Sequence, residues 1–167
     1  MLLWAQKMHK VKVSDDISMR IPANYGNMSP EDVSRKYAGS STVFIALTDY
    51  QQAVDLSISH KPTRWGRNDF PVLQDLFRGA ISEMSESVNF TKETIERIDD
   101  VPFMIFEFDA VTKGSEGLTS GTQKKYSYIA YTIYHGELLT YNFTCAQRLK
   151  NQYQQDAPTI LSTLKLK

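Results

Sequence analysis

The sequence holds a single cysteine, Cys145. A lone Cys makes no intramolecular disulfide and no Cys-rich zinc site. By strand alternation it shares a face with Tyr141 and Phe143, so it reads as a small buried apolar residue. A thiol nucleophile needs a nearby His or cation, which the local sequence lacks. Charge of one sign is also missing: Lys plus Arg is 19, Asp plus Glu is 19, and the formal charge is zero. Nucleic-acid binders draw affinity from a basic surplus that displaces counterions, so no nucleic-acid partner is expected. Eight Gly and six Pro in 167 residues argue against long disorder. No apolar run approaches the ~20 residues of a membrane span, so no transmembrane segment is expected.

Motifs for chemistry are equally sparse. The stretch GSEGLTSG at 114–121 lacks the Lys-Ser/Thr end of a phosphate-binding loop, and no Gly-x-Ser-x-Gly elbow occurs. His9, His60 and His135 are scattered over three elements, with no metal-ligand spacing. The expectation is therefore no catalytic residue, no cofactor and no metal.

What is present is globular patterning. The chain is 41% hydrophobic and 23% charged, and its 167 residues are expected to form one domain. At this size one core buries roughly 70% of the surface that an unfolded chain exposes. ISMRIPANY alternates, with Ile17, Met19 and Ile21 on one side and Pro22 ending the strand. MSPEDVSRKYAG reads as a short helix: Ser29 caps it, Pro30 opens it, and Gly39 stops it. STVFIALTD and QAVDLSISH form a hairpin, with Val54, Leu56 and Ile58 inward and Asp55, Ser57 and Ser59 outward.

The segment 67–90 is the strongest helix. Phe70, Leu73, Phe77, Ala80, Ile81, Met84 and Val88 recur at steps of three and four. A short strand and a turn at Asp99-Asp100 lead to a longer strand. There Met104, Phe106, Phe108 and Ala110 share one face, and Phe103, Ile105, Glu107 and Asp109 the other. Two further strands flank His135-Gly136. The terminal helix carries Tyr153, Ala157, Ile160, Leu161 and Leu164; it either restarts at Asp156 or kinks at Pro158. Short turns between strands imply a mainly antiparallel sheet, and two longer helices with one apolar face each need that sheet to cover. The predicted fold is an α/β (α+β) architecture, an α/β/α sandwich.

Residues 1–12 form an N-terminal segment with two readings. Leu2-Leu3-Trp4-Ala5-Gln6 resembles the end of a signal peptide; alternatively it is a short strand packed on the domain. Residues 13–167 make the domain.

Three features resemble the PsbP-like (Mog/PsbP/DcrB) superfamily. ISMRIPANY is similar to its opening strand, which ends in Pro followed by an aromatic. The long helix follows a strand pair, as in that family. LLTYNFTC followed by YQQDAPTILSTLKLK is similar to its closing strand and helix. The resemblance spans residues 13 to 167. It implies an α/β/α sandwich, a protein partner and no catalytic residues to carry over. Members include an extrinsic photosystem subunit, a nuclear Ran-release factor, bacterial envelope lipoproteins and chaperones for secreted toxins.

The candidate partner-binding residues are Lys61, Arg64, Trp65 and Arg67, in SHKPTRWGRNDF. Trp and Arg are over-represented at binding hot spots. The cations precede a helix N-terminus, where free N–H groups favour an anion. The alternative is a Trp packed down as a loop anchor. Glu107 and Asp109 read as a solvated pair rather than an acid/base site. Tyr126, Tyr128, Tyr131, Tyr134 and Tyr141 crowd one hairpin, as packing or as a binding surface. The functional expectation is a non-enzymatic protein-binding domain exported to a bacterial periplasm. The alternatives are an intracellular adaptor or secretion chaperone, and a small-molecule-binding or enzymatic domain with a tyrosine-lined pocket.

Overall fold

The computed structural model describes residues 7–37, 42–112 and 122–167. Residues 1–6, the expected helix stop at Gly39 and the expected loop at 114–121 lie outside the described residues. Two sheets carry the chain. A small one has the order β1-β2-β10, from Met8–Lys12, Ile17–Pro22 and Lys165–Leu166. The large one has the order β3-β4-β5-β9-β8-β7-β6. Its strands are β3 (Tyr25–Asn27), β4 (Val43–Asp49), β5 (Val54–Pro62), β6 (Ser87–Ile98), β7 (Val101–Thr112), β8 (Gln123–Tyr134) and β9 (Glu137–Ala146). Every pairing is antiparallel.

The hairpins follow from their turn residues. Asp99, Asp100, His135 and Gly136 all have positive φ, between 50° and 73°. Two positive φ values in a two-residue turn match the right-handed twist of the strands they join. One long-range contact closes the sheet: β5 docks along β9, from Val54 opposite Cys145 to Pro62 opposite Glu137. Pro62 has no N–H to donate, and β5 ends there.

Among the described residues four α-helices complete the fold: α1 (Pro30–Lys36), α2 (Phe70–Glu83), α3 (Lys150–Tyr153) and α4 (Asp156–Leu161). The Ser29 side chain accepts from Asp32 N–H and Pro30 opens α1, as the sequence predicts. Helix α2 covers one face of β7, where Phe70, Leu73 and Ile81 meet Met104, Phe106 and Phe108. The opposite face carries Phe103 and Ile105. These pack with Ile17, Met19 and Ile21 of β2 and with Ile160 and Leu161 of α4. Both alternating sets of β7 are therefore interior, the mark of a sheet sandwiched between helices. Each fully buried large apolar side chain contributes about 1.5–3 kcal/mol.

In α2, β6 and β5 the structure departs from the sequence reading. Helix α2 stops at Glu83, so Met84 is exposed and Val88 belongs to β6. The strand before Asp99 is 12 residues long rather than short. Ser57, expected outward, is buried; on its face Lys36 of α1 pairs with Asp55 at 2.6 Å. The closing helix takes the first of its two expected forms: α3 ends at Tyr153 and α4 restarts at Asp156. Strands β3 and β10 carry too few residues for a periodic signal, and β1 does not alternate in burial.

Candidate partner-binding surface

Lys61 stands near the end of β5, opposite Leu138 of β9, and Arg64, Trp65 and Arg67 lie on the connection from β5 to α2. Thr63 N–H donates to Gly136 O at 3.0 Å, tying the connection to the β8–β9 turn. Trp65 N–H donates to Thr63 Oγ1 at 3.2 Å, and Gly66 N–H to Asp69 Oδ2 at 2.8 Å. These local bonds turn the backbone and feed a 3-10 turn, Arg67–Asp69, into α2. The Asp69 carboxylate thereby serves Gly66 and gives α2 no side-chain cap.

Trp65 is 47% exposed and belongs to neither apolar cluster. Lys61 and Arg64 are exposed and have no ionic partner among the described residues. Arg67 is also exposed, but its Nε–H donates to Ile133 O at 3.0 Å, strapping the connection to β8. The structure thus presents an indole and two unpaired cations to solvent. Val72 and Leu76, one helical turn apart on α2, are also exposed, at 60% and 54%.

The other polar groups of interest are occupied within the fold. Tyr153 donates to Asp49 Oδ2 at 2.6 Å, and Ala53 and Val54 N–H donate to Asp49 Oδ1 at 2.7 and 3.1 Å. Tyr25 donates to Asp156 Oδ2 at 2.8 Å. Burial, reinforced by Asp49, pushes the Tyr153 hydroxyl up to about 12. Burial likewise raises Asp156 above its ordinary value; the Tyr25 hydrogen bond opposes this, and the charge of Asp49 adds to it. These groups border a cleft of about 410 Å³ with Asn24, Tyr50, Gln51 and Gln152.

Glu107 and Asp109, expected on a solvated face, are partly buried beneath α3. Tyr126 donates to Glu107 Oε1 at 2.7 Å, and Lys150 Nζ to Asp109 Oδ2 at 2.8 Å. The pair anchors packing. Cys145 is buried, and burial raises its thiol to about 11, the reverse of an activated nucleophile. Tyr126, Tyr128 and Tyr141 are buried and packed, with Tyr141 donating to Ala157 O at 2.8 Å. Tyr131 stacks on Phe77 of α2, ring centres 4.5 Å apart. Tyr126, Tyr128, Tyr131 and Tyr141 are therefore packing residues. His60 bonds Glu137 at 2.9 Å and stacks on Phe44. Among the described residues no three His, Cys, Asp or Glu side chains are grouped to hold a metal. No helix among them is long and apolar enough to cross a membrane.

No protein-family model matches the chain, and no curated protein matches it in sequence. Solved structures do match. Cyanobacterial PsbP (CyanoP) from Synechocystis sp. PCC 6803 aligns over 100% of this chain and 96% of its own, with TM-score 0.67 and 11% identity. The Ran-binding protein Mog1p of Saccharomyces cerevisiae aligns over 97% of this chain and 96% of its own, with TM-score 0.65 and 7% identity. This is the PsbP/Mog1/DcrB-like fold. A Pseudomonas aeruginosa protein of unknown function, PA94, shares that fold over 95% of this chain and 94% of its own, at TM-score 0.53 and 9% identity. At such identities the PsbP/Mog1/DcrB-like likeness speaks for the fold alone.

Proposed function

We propose that this chain is a non-enzymatic protein-interaction domain whose contact surface is centred on Trp65, with Lys61, Arg64 and Arg67 around it. The observation that carries the reading is the exposure of Trp65 beside two cations that have no ionic partner among the described residues. A half-exposed indole outside the core offers large apolar area at low conformational cost, and Arg and Trp are the residues on which interfaces turn. The likeness to a Ran-binding protein supports a protein partner. The carboxylates, tyrosines and thiol that could serve chemistry are hydrogen-bonded or packed inside the fold.

The proposal places the domain, residues 13–167, in a bacterial envelope. The second reading, an adaptor or secretion chaperone inside the cell, draws on the same Ran-binding likeness, and cell fractionation separates the two. Affinity capture from the native organism with immobilised wild type and Trp65→Ala, followed by mass spectrometry, tests the surface itself. Proteins retained by wild type are expected to be lost by the variant at an unchanged melting temperature. Equal retention by both overturns the reading.

A further inference from the structure

The large sheet ends on β6, and no strand lies beyond it among the described residues. An edge strand presents unpaired N–H and C=O groups, a template for one more strand. A register shift between Phe90 and Lys92 interrupts the ladder to β7, leaving 92–98 as the regular stretch. Past it, Glu93, Ile95 and Arg97 oppose Phe106, Met104 and Pro102, so they share the face that α2 covers. Lys92, Thr94 and Glu96 share the other face. Ile95 is 45% exposed, a large apolar residue on an open edge. Arg97 has no carboxylate partner among the described residues; its guanidinium donates to Asp100 O at 2.6 Å.

We propose that β6 pairs antiparallel with β6 of a second copy of this chain, about a two-fold axis at Ile95. The charge pattern selects that register. With the axis at Ile95, the two isoleucines meet, and Glu93 of each copy faces Arg97 of the other. Both complementary pairs lie on the α2 face, and directly opposed side chains are the stabilising unit of a sheet. The ion pairs within each chain, Lys92–Glu96 at 2.9 Å and Arg78–Glu93 at 2.7 Å, are kept. An axis at Glu93 or Glu96 sets like carboxylates against each other. An axis at Thr94 puts Ile95 against Glu93 and leaves Arg97 facing Thr91. An edge guarded against its own copy carries like charges in self-opposed positions; this one carries opposite charges there.

Sedimentation velocity over a concentration series on the full chain reads the association. Wild type is expected to show a monomer–dimer equilibrium. Arg97→Glu, which opposes Glu93 with a like charge twice, weakens it about tenfold or more, and Ile95→Lys abolishes it. Both side chains are exposed, so melting temperatures taken at dilution, where every chain is monomeric, stay near the wild-type value. Ile95→Cys yields a covalent dimer under mild oxidation, because identical side chains meet on the axis while Cys145 is buried out of reach. A wild-type chain that stays monomeric throughout overturns the proposal. So does a dimer of unchanged affinity in both Ile95→Lys and Arg97→Glu, or an Ile95→Cys chain that oxidises without cross-linking.

Discussion

The connection into α2 and the segment that closes the chain do the same structural job: each carries helix onto one face of the sheet. They treat their polar groups in opposite ways. In the closing segment, Lys150, Tyr153 and Asp156 all reach partners on the sheet or beneath it, at 2.8, 2.6 and 2.8 Å. At the end of β5 and in the connection after it, the N–H groups of Trp65 and Gly66 are satisfied by Thr63 and Asp69, while Lys61, Arg64 and Trp65 face solvent. Polar side chains held inside a fold rigidify it, whereas those left outside a rigid backbone are available to another molecule. The difference is why the surface reading rests on 61–67, although the closing segment is richer in ionisable groups.

The contrast predicts unequal costs. The largest effect belongs to Ile160→Ala, which empties a fully buried site under α4 and is expected to lower stability by about 2–5 kcal/mol in urea denaturation. Tyr153→Phe follows, at about 1–3 kcal/mol, because it leaves the buried Asp49 carboxylate short of a donor. A loss within error of zero for Tyr153→Phe would break the contrast.

The same tyrosine sharpens the comparison through pH. Its folded hydroxyl is raised from 10.0 to about 12, so the stability it contributes is whole below pH 10 and lost as pH rises through 12. Tyr131, on the α2 side, is also raised from 10.0 to about 12, by burial alone. Urea titrations across that window should show a steep decline in wild type and a shallower one in Tyr153→Phe. The smallest stability effect is expected for Trp65→Ala, within about 0.5 kcal/mol, checked by the same titration. A large loss there would make Trp65 a core residue and remove the basis for the proposed surface.

Much of the architecture was legible because it is written in local periods. The stripe Phe70, Leu73, Ile81 announced α2, and the single apolar faces of two helices announced a sheet for them to cover. Val88 misled because it falls on the helical period, yet the helix ends at Glu83 and Val88 starts a strand on the same face as α2. Glu107 and Asp109 looked solvated because nothing nearby in sequence pairs with them. Their partners, Tyr126 and Lys150, stand 19 and 41 residues away. The cluster 61–67 was readable as chemistry, since Trp and cations are visible as letters, but its exposure was not.

By itself, the sequence determined β2, β4, β5, β7, β8 and β9 and the place of the long helix, because side-chain alternation and helical spacing depend only on neighbours along the chain. Tertiary structure decided the rest: β5 beside β9, β6 at the edge, Asp49 and Asp156 capped by distant tyrosines, Trp65 left half in water. Those outcomes depend on contacts between residues far apart in sequence, and no local pattern encodes them.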